Sequence, residues 1–173
     1  MKKILITVLV SLFLTTATAQ SWFGLKAGAN IESYDTDFAS SGSQGAYHSH
    51  VHWDGFHLGI FGKFKQEYGV WGFQPELLYS YSSYQEYGEI PLNLLWEPFG
   101  DSPVGIYVLG GPYGKFQIHR NDCERNVQHK DFQWGIGAGI GLRIQHFQLE
   151  WKWNWDSEKW RQDHCYLSAS VLF

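Results

Sequence analysis

The sequence predicts an all-β fold, an eight-stranded antiparallel up-and-down transmembrane β-barrel, on three observations. Aromatic residues reach 18 % and glycines number 19, while charged residues stay at 17 %. That balance argues against disorder, coiled coils and helical repeats. Along the chain, segments alternate apolar side chains with small or polar ones, the period of a strand rather than of a helix. The connections between these segments alternate between short and long, the layout of a barrel with tight turns at one end and loops at the other.

The first element is an address. Met1-Lys2-Lys3 is basic, Ile4 to Leu14 is apolar, and Ala17-Thr18-Ala19 puts small residues where signal peptidase reads them. Cleavage is expected between Ala19 and Gln20, which divides the chain into a signal peptide (1–19) and a barrel domain (20–173) that follows Sec-type export. The net charge is −4, and loss of Lys2 and Lys3 makes it more acidic, so no electrostatic footprint for nucleic acid exists. Beyond residue 20 no run approaches the roughly 20 apolar residues of a membrane-spanning helix. Closed barrels are the other structures that satisfy their backbone groups in lipid.

The strands follow in order. Phe23 to Asn30 sets Phe23, Leu25 and Ala27 against Gly24, Lys26 and Gly28, and Phe56 to Phe64 sets Leu58 and Ile60 against His57 and Lys63. Trp71 to Tyr81 opposes Trp71, Phe73 and Leu77 to Gln74 and Glu76; Glu89 to Trp96 opposes Ile90, Leu92 and Leu94 to Glu89 and Asn93. Val104 to Gln117 is a longer strand with parity blurred at Gly110-Gly111-Pro112, where a bulge is expected. Phe132 to Ile144 alternates most cleanly, with Phe132, Trp134, Ile136, Ile140 and Leu142 on one face and four glycines and Arg143 on the other. Phe147 to Asp156 opposes Leu149, Trp151 and Trp153 to Glu150 and Lys152, and Cys165 to Phe173 completes the set. A soluble sandwich also alternates, but a row of three tryptophans is seldom buried, because each indole N–H needs a partner.

Connections at 65–69, 97–103 and 145–146 are short, and those at 31–53, 82–88, 118–131 and 157–164 are longer, which sets the termini and short turns on the periplasmic side. Trp22, Trp53, Trp71, Tyr81, Trp96, Trp134, Trp155 and Trp160 fall near strand ends, as interfacial girdles require. The segments FGLKAGANI (Phe23 to Ile31), GFHLGIFGKF (Gly55 to Phe64), FQPELLYS (Phe73 to Ser80), EIPLNL (Glu89 to Leu94) and YVLGGPYGKF (Tyr107 to Phe116), with the terminal strand on Phe173, resemble the PorT-like outer-membrane β-barrel domain proteins of Bacteroidota. The resemblance spans nearly the whole chain after residue 20. It implies an eight-stranded outer-membrane barrel and supplies no shared substrate or catalytic residue.

An eight-stranded barrel is just wide enough for side chains to fill it. Its inward positions hold Lys26, Lys63, Arg143 and Lys152 against Glu76, Glu89 and Glu150. These charges should pair, because isolated charges lose hydration there; a salt-bridge plug is the expectation, and a gated ion path the alternative. His48, His50 and His52 alternate along an extended segment, with His57 shortly past the loop, and imidazole is a common ligand of Zn or Cu. A metal held by these four is one reading and a solvated loop the other; His119, His129 and His164 fall in other loops at the same end. Cys123 and Cys165 also fall at that end and suit one disulfide in an exported chain. No other cofactor is implied, since P-loop, dinucleotide and EF-hand motifs are absent.

The expected function is that of a small non-enzymatic outer-membrane barrel whose outer loops bind partners or metal, with membrane lipid around it and the barrel-assembly machinery inserting it. A soluble lipocalin-like barrel would instead bury Trp134, Trp151 and Trp153 around a ligand. A lipid-modifying enzyme would need a serine and a histidine within hydrogen-bond reach at the lipid-facing rim, and no G-x-S-x-G elbow marks one.

Overall fold

The computed structural model describes residues 19–35, 49–66, 69–82, 85–99, 102–120, 132–157 and 164–173. They form β1 (Ala19–Asp35), β2 (Ser49–Gln66), β3 (Trp71–Ser82), β4 (Gln85–Trp96), β5 (Val104–Arg120), β6 (Phe132–Ile144), β7 (Phe147–Asp156) and β8 (His164–Leu172). Each strand pairs antiparallel with the next, and β1 pairs with β8 to close the barrel. Closure removes every sheet edge, which lipid requires.

The faces sort as the alternation demands. Phe23, Leu25, Ile60, Leu77, Trp134 and Ile140 are exposed on the outside, whereas Lys26, Gln74, Glu76, Asn93, Glu150 and Lys152 are buried inside. In water this would expose most of the apolar surface and bury the charges. A lipid surround reverses both signs. The lipocalin-like alternative is overturned here: Trp134 and Trp153 are 57 % and 41 % exposed on the outer face and enclose nothing.

The glycines of β6 are cut to fit the interior. A Cβ at Gly141 would collide with the Tyr107 ring, at Gly135 with the Tyr113 ring, and at Gly137 and Gly139 with Lys152. Small residues on one strand thus make room for the large polar ones of its neighbours. At the turn end, Gln145 adopts φ 53° in the two-residue connection from β6 to β7.

Three expectations are corrected. The bulge expected at Gly110-Gly111-Pro112 is absent: β5 runs in unbroken register with β6 from Val104 to Phe116, and a Cβ at Gly111 would meet the Leu92 carbonyl. These glycines serve close approach between strands, and the β4–β5 register shifts instead beside Ile118. Trp22 belongs to no outer girdle, for it pairs with Lys63 on the interior face and lines a cavity there. Finally, β1, β2 and β5 contain 17, 18 and 17 residues, well beyond the about 9 to 11 that span a bilayer. They continue past the membrane by roughly 15 Å at the rise of a tilted strand, so residues expected in loops, His50 and His52 among them, belong to β2.

Candidate functional site

The barrel interior is a stack of polar clusters. At mid-height Lys26 Nζ donates to Glu76 Oε1 at 2.9 Å and to Glu150 Oε1 at 2.8 Å. Gln74 and Asn93 donate to the same Glu76 oxygen, each at 2.8 Å. Lys152 Nζ donates to Asn93 Oδ1 at 3.1 Å, and the Tyr107 hydroxyl lies 3.3 Å from Glu150 Oε2. Two lysines and two glutamates make this layer neutral, and a buried charge is tolerable only when paired and hydrogen-bonded in this way.

Toward the turn end, Lys63 donates to Glu97 and Lys65 lies 3.4 Å from its other oxygen. Lys63 Nζ also sits 5.5 Å from the centre of the Tyr107 ring. Arg143 is half-buried and donates from Nη2 to the Ser102 carbonyl at 3.2 Å. A cavity of about 220 Å³ opens among Trp22, Lys63, Lys65, Glu97 and Arg143.

Toward the loop end, Tyr166 donates to Glu89 Oε1 at 2.5 Å, and Lys115 Nζ stands 3.9 Å over the Tyr87 ring. His57 is buried. Asn30 Nδ2 donates to the Phe56 carbonyl at 3.3 Å, which makes Asn30 Oδ1 the acceptor from His57 Nδ1–H at 2.7 Å. His57 Nε2 then accepts from the Ser168 hydroxyl at 2.8 Å. Nearest the loops, Tyr113 donates to Asp156, whose second oxygen lies 3.5 Å from His164 Nε2.

Of the seven charges expected inside, Lys26, Lys63, Glu76, Glu89, Glu150 and Lys152 are buried in the lumen and Arg143 lies at its turn end. Lys65, Glu97, Lys115, Asp156 and His164 join them, and all but Lys115, whose strand has a blurred parity, continue an inward parity visible in the sequence. Of the four histidines expected to hold a metal, only His57 has its side chain among the described residues. His57 is committed through both ring nitrogens, His48 lies outside the described residues, and the register sets His50 opposite Tyr34 and His52 opposite Glu32. Among the side chains the structure describes, no three of His, Cys, Asp or Glu surround a point that could hold a metal ion. Cys165 is the second residue of β8, at an outward position, and Cys123 lies outside the described residues. A serine and histidine do meet, as Ser168 and His57, but deep in the lumen rather than at the lipid-facing rim that a lipid-modifying enzyme needs.

The family model described as outer membrane protein beta-barrel domain matches residues 4–156. No curated protein matches the sequence. Among solved structures, the chain is similar to Neisserial surface protein A at 12 % identity, covering 89 % of this chain and 97 % of that one with a TM-score of 0.54. It is similar also to the N-terminal β-barrel domain of OprF from Pseudomonas aeruginosa at 14 % identity, covering 89 % and 100 %, with a TM-score of 0.52. At these identities the likeness shows the fold.

Proposed function

Because the chain belongs to the outer membrane protein β-barrel domain family, we propose that it acts as a small non-enzymatic barrel of the outer membrane whose loop end meets partners outside the cell. The observation that carries this reading is the reversal of faces: apolar side chains outside, a charge-neutral polar plug at mid-height inside. A filled lumen suits a scaffold that displays loops better than one that conducts, and strands that rise past the bilayer carry those loops clear of the lipid surface.

Within the family, the PorT-like resemblance of the sequence supports a barrel of the Bacteroidota type, and the same proposal has the chain exported by its N-terminal segment and inserted by the barrel-assembly machinery. A metal ion, Zn or Cu, is a second class of external ligand, favoured by the histidines where β2 emerges from the membrane. The test is fractionation of cells with heat-modifiability on a gel, followed by protease treatment of intact cells. Membrane recovery, a heat-dependent shift and cleavage within 31–53 or 118–131 are expected. Recovery in the aqueous phase of a detergent extraction would overturn the assignment.

A further inference from the structure

The mid-height layer is neutral, but the cavity of about 220 Å³ at the turn end is not. Among the described side chains that line it, Lys63, Lys65 and Arg143 carry positive charge and Glu97 carries the one negative charge. Lys63 and Lys65 are only 2 % and 4 % exposed, and both reach Glu97, one on each carboxylate oxygen. Arg143 is fixed at the rim, where its Nη2 donates to the Ser102 carbonyl at 3.2 Å. The two turns that frame this rim are tied together, since Gln145 N–H donates to the Pro103 carbonyl at 2.6 Å. The cations are thus held in place before anything enters.

We infer that this cavity binds a phosphoryl group in its dianionic form, with Lys63, Lys65 and Arg143 as the cationic wall. Three positive charges against one negative charge leave a surplus of two beside lysines withdrawn from water, where excess charge is costly. A phosphate monoester brings nearly two negative charges and three acceptor oxygens at neutral pH, so one such group restores neutrality. A carboxylate cancels only half of the surplus. The planar guanidinium of Arg143 presents paired N–H donors that match phosphate. Each ammonium group has three N–H donors, so those facing the cavity serve the anion while Glu97 keeps the lysines in position. Trp22, which also lines the cavity, offers an apolar wall for the organic part of an ester. The filled layer above closes the way through the barrel, so the ligand enters and leaves at the turn end, the side expected to face the periplasm. A soluble phosphate ester and the phosphate of a lipid headgroup present the same chemistry there.

The experiment is calorimetric titration of inorganic phosphate, at about pH 8 where it is a dianion, into the full chain folded in phosphatidylcholine vesicles, with heat-modifiability confirming closure of each variant. One phosphate per chain is expected, with affinity falling about ten-fold or more in Arg143→Gln and in Lys65→Gln. Lys115→Gln, which removes the same charge from the loop end of the lumen, should stay within about three-fold of wild type. In the wild-type chain, where no variant has to fold, acetate should bind about ten-fold more weakly than phosphate. Repeating the phosphate titration in vesicles containing phosphatidic acid, against phosphatidylglycerol at equal surface charge, distinguishes the sources. Binding displaced by phosphatidic acid alone assigns the site to a lipid headgroup, and binding kept in both assigns it to a soluble ester. Absence of phosphate-dependent heat, equal affinity for acetate, or an equal loss in Lys115→Gln would overturn the site.

Discussion

Tyr107 lies over Gly141, its register partner across the β5–β6 ladder, and fills the space that any larger residue at that position would need. The ring then reaches toward Glu150 and Gln148 with its hydroxyl, so this glycine makes the room through which Tyr107 joins the mid-height layer. Gly141→Ala should destabilise the barrel by about 1–3 kcal/mol through overpacking. Gly105→Ala, where a Cβ meets only ordinary contacts with Arg143 and Phe99, should change stability by less than about 0.5 kcal/mol. Urea unfolding in detergent micelles distinguishes the two.

Removal of the cation shared by Glu76 and Glu150 should be more damaging. Lys26→Met leaves two buried carboxylates without their common partner and is expected to cost about 3–5 kcal/mol. Combining it with Glu76→Gln and Glu150→Gln, which discharges the cluster, should recover most of that loss. Equilibrium unfolding of the single and triple variants reads the difference; equal stability of Lys26→Met and wild type would mean that the cluster contributes nothing.

The outer face has its own test. Ile140, 48 % exposed near the middle of β6, faces the hydrocarbon if the chain crosses a membrane, and Ile140→Arg should cost about 2–4 kcal/mol there. Folding into lipid vesicles, followed by guanidinium titration, measures it. An unchanged midpoint would remove the main support for a lipid-facing belt.

A disulfide between Cys123 and Cys165 is proposed at the loop end. Mass spectrometry of non-reduced protein should find the two linked, and alkylation of both without prior reduction would exclude the bridge. The loop-entropy model gives it a stabilisation on the order of 4 kcal/mol.

How much of this was legible in the sequence varies along the barrel's height. Within the membrane the outer face must be apolar at every second position, so β6 and β7 are read residue for residue, Phe132 to Ile144 and Phe147 to Asp156. Above the membrane that requirement lapses while the ladder continues, and the polar ends of β1, β2 and β5 therefore look like loops. Lys65 and Glu97 fall at the start of the expected turns 65–69 and 97–103 although each extends an inward parity by one step, from Lys63 and from Leu95. The partners of His57, Asn30 of β1 and Ser168 of β8, depend on which strand closes against which, and no single-strand pattern contains that information.

The closing seam sets the order of events during folding. Glu32, Lys26 and Gly24 of β1 pair with His164, Ser170 and Leu172 of β8, contacts that join opposite ends of the sheet in sequence. Such distant pairings make topology slow to form, and until β8 docks both β1 and β8 present open edges able to recruit other chains. Any variant that delays this last zippering should lengthen the lifetime of an aggregation-prone intermediate even if the finished barrel is as stable as before.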